Sequence, residues 1–512
     1  MEKKPKYGPK YGEVFEADTN SGIFVKLFQS VEELKQGSPV LVESDRFTYY
    51  CVVDQIFSKA SGTIQAMLGT SLESAVIKDF SPLSSQIFNI CKLNCLRKIE
   101  KSETRNIFPF DTIPPCFSAC VNMRSEVYER IYDVDASSII GHLRDFPEYK
   151  ISVDLKNLTE TSFGIFGATG SGKSVLQKIL LMKIIENKVG NVVVIDPQNE
   201  YGILSPDGIP GLKALFPNNV SLMSADRNAQ GMDNYFIVNP ASLNLGDLLV
   251  ILRDLSEPMS FALISINKHK GSLSLVEAVN NPPAQVEIHE ATQSALRARL
   301  NAILTYDFFD ETIKNDILGE MKRIVVDKNK SIVISLGRYG NQSNAYFIIS
   351  ALIARVFYDE YSNKKQSKTY PKLIITLEEA HKFMQFPLWA NIAREMRKFN
   401  MILAIVDQIP GSISSEILSQ LNNRFVLKLN QERDIESALQ GVDGSSSWMG
   451  TIKKFPMPRS LTPPRSCAFV YGSCISIASV IEVLDFFKFI DILKNKQSQF
   501  LSTTDMTKKS VI

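Results

Sequence analysis

Apolar residues along this chain follow two rhythms, and the change between them divides it. From Tyr11 to about Pro82 the apolar runs are short, as in Ile23-Phe24-Val25, Pro39-Val40-Leu41-Val42 and Tyr49-Tyr50-Cys51-Val52-Val53. Turn residues such as Asn20-Ser21-Gly22 and Gly37-Ser38-Pro39 separate them. Many short strands at this spacing predict a small β-barrel over residues 1–82. Residues 83–150, rich in proline and charge, read as a β extension and linker. Beyond Ile151 the runs become continuous: Phe163 to Phe166, Asn191 to Ile195, Ser331 to Leu336, Lys372 to Leu377 and Met401 to Val406. They are rich in Val, Ile and Leu, lack polar alternation and are flanked by helical pattern, which predicts buried parallel strands. A mostly helical stretch from about 202 to 330, clearest at Leu248 to Leu255 and Thr292 to Leu304, reads as an insertion into a core spanning 151–496. The polar residues 497–512 read as a mobile tail.

Composition adds limits rather than a function. The chain has 512 residues, of which 44% are hydrophobic and 22% charged, an ordinary globular balance with room for several cores. No apolar stretch approaches a bilayer span, and Met1 to Lys6 is basic without the apolar core of a signal peptide, so the expectation is a cytoplasmic protein with no membrane partner. A net charge of +2 announces no nucleic-acid binder, although a ring can concentrate positive charge on its pore. Seven scattered cysteines fit reduced thiols. The spacings Cys91-x₃-Cys95 and Cys116-x₃-Cys120 could clamp zinc, but in a strand Cys91 and Cys95 share one face, and buried thiols are the favoured reading.

One octet carries the chemistry. Gly167-Ala168-Thr169-Gly170-Ser171-Gly172-Lys173-Ser174 reads G-x-x-x-x-G-K-S, a complete phosphate-binding loop. Its glycines let backbone N–H groups turn around phosphates, Lys173 reaches the β- and γ-phosphates, and the Ser174 hydroxyl meets Mg²⁺. A chance match is the competing reading. Against it, an apolar strand precedes the loop, and Val175, Leu176, Ile179, Leu180 and Ile184 follow at helical spacing, placing a helix N-terminus at the phosphates. The octet therefore predicts an α/β nucleotide-binding core using ATP and Mg²⁺.

A second site lies at Leu373-Ile374-Ile375-Thr376-Leu377-Glu378-Glu379-Ala380-His381. An apolar strand ending in two carboxylates is what a hydrolysing phosphate-loop enzyme needs: one acid for the Mg²⁺ shell, a second to polarise the attacking water. Adjacent strand residues point to opposite sides, so a turn must aim both. The competing reading is a helix N-terminus carrying acids for its dipole. Asp196, in Asp196-Pro197-Gln198-Asn199-Glu200-Tyr201, and Asp407-Gln408 end two further strands. Strand ends of one edge converge on one crevice in open α/β sheets. Gln408 would sense the γ-phosphate or orient water, with Asp196 and Glu200 behind the metal; ordinary strand-end turns explain Asp196 and Gln408 equally well.

These motifs occur in a fixed order with Ala393-Arg394-Glu395-Met396-Arg397-Lys398-Phe399 and Ser419-Gln420-Leu421-Asn422-Asn423-Arg424-Phe425-Val426-Leu427-Lys428-Leu429. With an N-terminal β-barrel, the set resembles the HerA branch of the HerA/FtsK ATPases. The motif resemblance covers roughly residues 160–205 and 331–430, and the barrel adds a weaker match over about 11–82. The resemblance implies a RecA-like P-loop NTPase sheet with a helical insertion, assembled as a homohexameric ring around duplex DNA. ATP bound between subunits would drive DNA translocation or unwinding, beside a nuclease in DNA-end processing or an effector in phage defence. Carried over residue by residue, Lys173 and Ser174 bind phosphate and Mg²⁺, Glu378 supports the metal, Glu379 activates water and Gln408 is the sensor. Arg394 or Arg397 would be the finger reaching a neighbour's ATP, whereas in a monomer both read as a solvated helix face. Two departures stand out: Thr161-Ser162 where the family has an Arg-His pair, and Gln198-Asn199 where it favours His-Gly. The first leaves open a nucleotide-gated ring scaffold that recruits an effector; a conjugation- or secretion-type ATPase docking at a membrane is a further reading, which an added transmembrane segment would favour.

Overall fold

The computed structural model describes residues 10–28, 34–60, 87–101, 106–206, 208–314, 317–362, 369–382 and 387–494. The expected tail at 497–512, the basic Met1 to Lys6 and residues 61–82 of the expected barrel lie outside the described residues. The chain forms two compact units, one of residues 1–154, 167–172 and 424–485, the other of 155–166, 173–423 and 486–512.

In the first unit the barrel comprises β1 (Lys10–Asp18), β2 (Gly22–Leu27), β3 (Pro39–Glu43), β4 (Phe47–Ala60), β5 (Ile87–Glu100), the two-residue β6 (Ile107–Phe108) and β7 (Ala119–Val121). The order β2-β1-β7-β3-β4-β5 closes through a β2–β5 pairing, with β6 on β5. All these pairings are antiparallel. The alternate residues Val40/Val42, Tyr49/Cys51/Val53 and Cys91/Leu93/Cys95 fill its core together with Cys120. Burial raises the thiols of Cys51, Cys91 and Cys120 far from the reactive range, as expected for thiols that act as small apolar side chains. The barrel therefore does not end at residue 82. It closes only through β5 and β7, inside the segment expected to be an extension, because removing every open edge requires partners from beyond the local hairpins. The rest of that segment supplies β8 (Ile139–Leu143) and β9 (Lys150–Ser152).

The second unit is built on parallel strands: β10 (Phe163–Phe166), β11 (Asn191–Asp196), β12 (Val220–Ser224), β13 (Asn234–Tyr235), β14 (Ser331–Ser335), β15 (Leu373–Glu378) and β16 (Met401–Asp407). Their order is β13-β12-β14-β11-β15-β16-β10. Every pairing is parallel. The five runs expected as strands lie side by side, in the order β14-β11-β15-β16-β10. The register pairs Phe166 with Asp407 and Glu378 with Val406, so the carboxyl ends line one edge. The insertion differs from expectation. Residues 202–238 contribute a one-turn helix at Leu212–Leu215 and the strands β12 and β13, and the longer helices come later, at Leu245–Ile251, Glu257–His269, Leu275–Asn280, Glu290–Leu304 and Ile317–Val326. At five and two residues these strands are too short to carry a period in the sequence. Capping boxes at Asn244/Asp247 and Ser274/Glu277 start two of the helices.

The helix Lys173–Glu186 is buried on all sides from Leu176 to Ile185, including Gln177, Lys178 and Lys183. Those two lysines lie over aromatic rings, Lys178 5.4 Å from the Tyr201 centroid and Lys183 4.9 Å from that of Phe489, which offsets part of their desolvation. In the first unit β17 (Asn423–Val426), β18 (Cys467–Tyr471) and β19 (Ser479–Val483) continue antiparallel into β8 and β9. Among the described residues no helix is long and apolar enough to cross a membrane.

Candidate active site

The phosphate loop follows β10. Gly170 and Gly172 take φ of +75° and +99°, conformations that side-chain-bearing residues resist. At Gly172 space forbids a substitution as well, since a Cβ there would lie 2.0 Å from Ser466 Oγ. The Ala168 N–H donates to the Lys428 carbonyl at 2.7 Å, tying the loop to the chain beyond β17. Ser171 is 2% exposed and its hydroxyl has no hydrogen-bond partner within the protein. A buried orphan donor in such a loop suits a phosphate oxygen. The loop then opens the helix that begins at Lys173 and Ser174.

In the second unit, β15 ends at Glu378 and the chain turns sharply. Glu379 sits at φ +52°, left-handed for a residue with a side chain. This is the turn that aiming two adjacent carboxylates requires. Such strain costs on the order of 1–3 kcal/mol and is retained where function or packing demands it. Both acids act on Lys173: burial lowers its pKa, while Glu379, then Glu378, Asp407 and Glu200 oppose that effect. The expected residues Lys173, Glu378, Glu379 and Gln408 thus share one polar cluster.

Glu378 is 5% exposed, and burial pushes its carboxyl up to about 8, reinforced by the nearby Asp196 charge. Tyr201 Oη meets both the Glu378 carboxylate and Gln177 Oε1, the latter at 2.6 Å. One hydroxyl hydrogen cannot serve two acceptors, and Gln177 Nε2 is buried without a partner. Turning the Gln177 amide over satisfies both, so that Gln177 donates to Tyr201 and Tyr201 to Glu378. Asp196 acts behind this pair. Its carboxylate accepts the backbone N–H of Glu200 at 3.0 Å and of Tyr201 at 2.8 Å. It therefore folds the turn that presents Tyr201, while burial raises its own pKa to about 6. Asn199 in that turn has φ +58°, a conformation glycine and asparagine both tolerate, so asparagine at this position of the family's His-Gly keeps the backbone.

The end of β16 organises the other side. Gln408 Nε2 donates to both Glu379 oxygens, at 3.0 and 3.2 Å. The Asp407 carboxylate accepts the His381 N–H at 2.6 Å, His381 Nδ1 at 2.9 Å and the Ile409 N–H at 2.7 Å. His381 Nε2 lies 3.8 Å from Glu379 Oε2. Tyr201, Gln177, His381 and the role of Asp407 were missed in the sequence. The available signals were the tyrosine closing the Asp-Pro turn and the histidine closing Leu-Glu-Glu-Ala-His. The arginines stand apart: Arg394, on the helix Pro387–Glu395, is exposed and bonded to Glu416 at 2.6 Å and Asn391 at 2.7 Å, and Arg397 is exposed. Thr161 and Ser162 are buried structural hydroxyls, Ser162 Oγ accepting the Leu403 N–H at 3.1 Å and Thr161 Oγ1 the Asn423 amide at 3.4 Å.

The donor set fits a hard divalent cation. Four acids act electrostatically on Lys173, and burial raises the carboxyls of Glu378 and Asp196, to about 8 and about 6. No comparable set surrounds the cysteines, and among the described residues no three His, Cys, Asp or Glu are placed to hold a metal unaided.

A parallel sheet, a glycine-strained phosphate loop and a turned carboxylate pair at one sheet edge make this protein a P-loop ATPase. The family described as "Helicase HerA, central domain" matches residues 138–356. A DNA double-strand break repair helicase HerA of Pyrococcus furiosus is 22% identical over 70% of this chain and 72% of its own. That of Saccharolobus solfataricus is 27% identical over 67% and 69%. The VirB4 structure of Thermoanaerobacter pseudethanolicus, 16% identical, covers 68% of this chain and 96% of its own at a TM-score of 0.46. Over the matched segment the chain is similar to the HerA-like branch of the HerA/FtsK P-loop ATPases.

Proposed function

We propose that this protein is an ATP-driven DNA translocase or helicase, working as a homohexameric ring around duplex DNA with a nuclease or defence effector as partner. The observation that carries the hydrolytic half is the left-handed Glu379, whose carboxylate is held by Gln408 and acts electrostatically on Lys173. In this reading the Gly167–Gly172 amides and Lys173 hold the phosphates. Ser174 and Glu378 would hold Mg²⁺, which would supply charge neutralisation for the phosphates. Tyr201 fixes the Glu378 carboxylate, Glu379 accepts the proton of the attacking water, and Gln408 reports the γ-phosphate. Support for DNA as the track comes from relatives named as double-strand break repair helicases.

Thr161-Ser162 favours a second reading, since these buried hydroxyls occupy the place of the family's Arg-His pair. A ring lacking that arginine would use ATP as a switch for recruiting an effector. ATPase assays with and without duplex DNA separate the two: hydrolysis stimulated severalfold by DNA is expected of a translocase, and DNA-independent hydrolysis would overturn it.

A further inference from the structure

Two buried tyrosines grip Glu378 at different atoms. Tyr201 Oη meets its carboxylate, and Tyr346 Oη donates to its main-chain carbonyl at 2.6 Å. Tyr346 is 0% exposed and stands near the start of the helix Ser343–Ser362, where its own N–H donates to the Gln342 carbonyl at 3.0 Å. The segment leading into that helix is fitted to the Asp196 turn. The Leu336 N–H donates to the Asp196 carbonyl at 3.0 Å, and a Cβ at Gly340 would lie 1.9 Å from the Pro197 oxygen. Tyr201 and Tyr346 therefore belong to one packed frame. The ladders of β15 end at Leu377 on β11 and at Glu378 on β16, so the turn begins where sheet pairing stops. A peptide unit is planar, so a fixed Glu378 carbonyl also fixes the Glu379 N–H and the axis about which φ of Glu379 rotates. The peptide on the other side is held as well, since the Glu379 carbonyl accepts the Lys382 N–H at 3.0 Å. Between two held peptides, Glu379 can leave φ +52° for a commoner conformation only by breaking one of these bonds.

We propose that Tyr346 is a positioning residue for hydrolysis, which by holding the 378–379 peptide keeps Glu379 left-handed and its carboxylate on Gln408. This rests on the hydrolytic role given to Glu379 above. Tyr346 acts through the main chain and takes no part in proton transfer. Without its hydroxyl the turn gains a route to a relaxed backbone, and the Glu379 side chain then swings off Gln408 and away from the attacking water.

The test is single-turnover ATP hydrolysis by the full chain carrying Tyr346→Phe, alone and combined with Glu379→Gln. The substitution keeps the ring and removes only the donor. Alone, it is expected to lower the rate by on the order of tenfold, as for a reacting group displaced by less than about 1 Å, with ATP affinity within about twofold. The melting temperature should fall too, because a buried carbonyl loses a partner, so a structural role and a positioning role differ in the rates rather than in stability. The combination separates them. On Glu379→Gln, Tyr346→Phe is expected to change the residual rate by less than about twofold, since the carboxylate it positions is gone. An equal loss on both backgrounds would overturn the proposal, as would an unchanged rate in Tyr346→Phe, or a loss of ATP affinity that matches the loss of rate. Near-normal hydrolysis by Glu379→Gln alone would remove the role of Glu379 itself, a failure read from that variant before Tyr346 is changed.

Discussion

Gln408 lays its side-chain amide on Glu379, with one nitrogen 3.0 Å from Oε2 and 3.2 Å from Oε1. The contact joins the ends of β15 and β16 and fixes a carboxylate whose own backbone is strained. It also explains why the two residues should not behave alike. Glu379→Gln removes the proton acceptor and leaves Lys173 and Ser174 to hold nucleotide. Turnover should fall by on the order of 10² or more with ATP affinity retained. Gln408→Ala leaves the acceptor but frees it, so the loss should be smaller, on the order of tenfold. Single-turnover hydrolysis with fluorescent-nucleotide binding measures both, and near-normal turnover in Glu379→Gln would remove it from the chemistry.

Glu378 makes a stability prediction whose sign is fixed by its pKa. Burial raises the folded-state value from the ordinary 4.5 to about 8. The folded protein therefore retains a proton that the unfolded chain releases near pH 4.5. The stabilisation is full below that pH and is lost as pH rises to about 8. Nucleotide-free protein should melt several degrees lower, roughly 5 °C, at pH 8 than Glu378→Gln shows over the same change. Mg²⁺ with nucleotide should flatten the wild-type dependence, because a cation beside the carboxylate favours its charged form. Melting curves of the two proteins from pH 5 to 8 decide it, and parallel dependences would mean that Glu378 does not retain its proton.

Much of this was legible in the chain because the relevant signals are local. The phosphate loop is eight consecutive residues, and the five core strands are uninterrupted apolar runs that only a doubly covered parallel sheet can bury. The need for a turn at Glu379 followed from strand geometry alone, and φ +52° supplies it. What remained hidden depends on distant partners. β5 and β7 close the barrel through pairings with strands up to about 110 residues away, which no hydrophobic period encodes. β12 is five residues long and gains its place only by pairing with β14. For Asp196 a place behind the metal and an ordinary strand-end turn read equally well in the sequence, and its bonds to Glu200 and Tyr201 supply the turn, which presents the tyrosine closing the Asp-Pro motif.

The last prediction concerns Arg394 and Arg397. Within one chain Arg394 is held by Glu416 and Asn391, and both arginines are exposed. A finger acting on the chain's own nucleotide would have to break those bonds. A finger acting on a neighbour needs only an adjacent subunit that competes for the guanidinium, and γ-phosphate is a better partner than an exposed glutamate. Loss of the true finger should cut hydrolysis by on the order of 10³ while leaving nucleotide affinity largely intact. Mixing then distinguishes neighbour from self. Rings combining an Arg→Ala subunit with a Glu379→Gln subunit contain interfaces where an intact Glu379 meets an intact arginine, so activity should partly return. Neither variant alone forms such an interface. No recovery for either arginine, in rings verified as mixed by mass, would rule out a finger acting between subunits. A protein that stays monomeric with ATP and DNA would remove the ring itself.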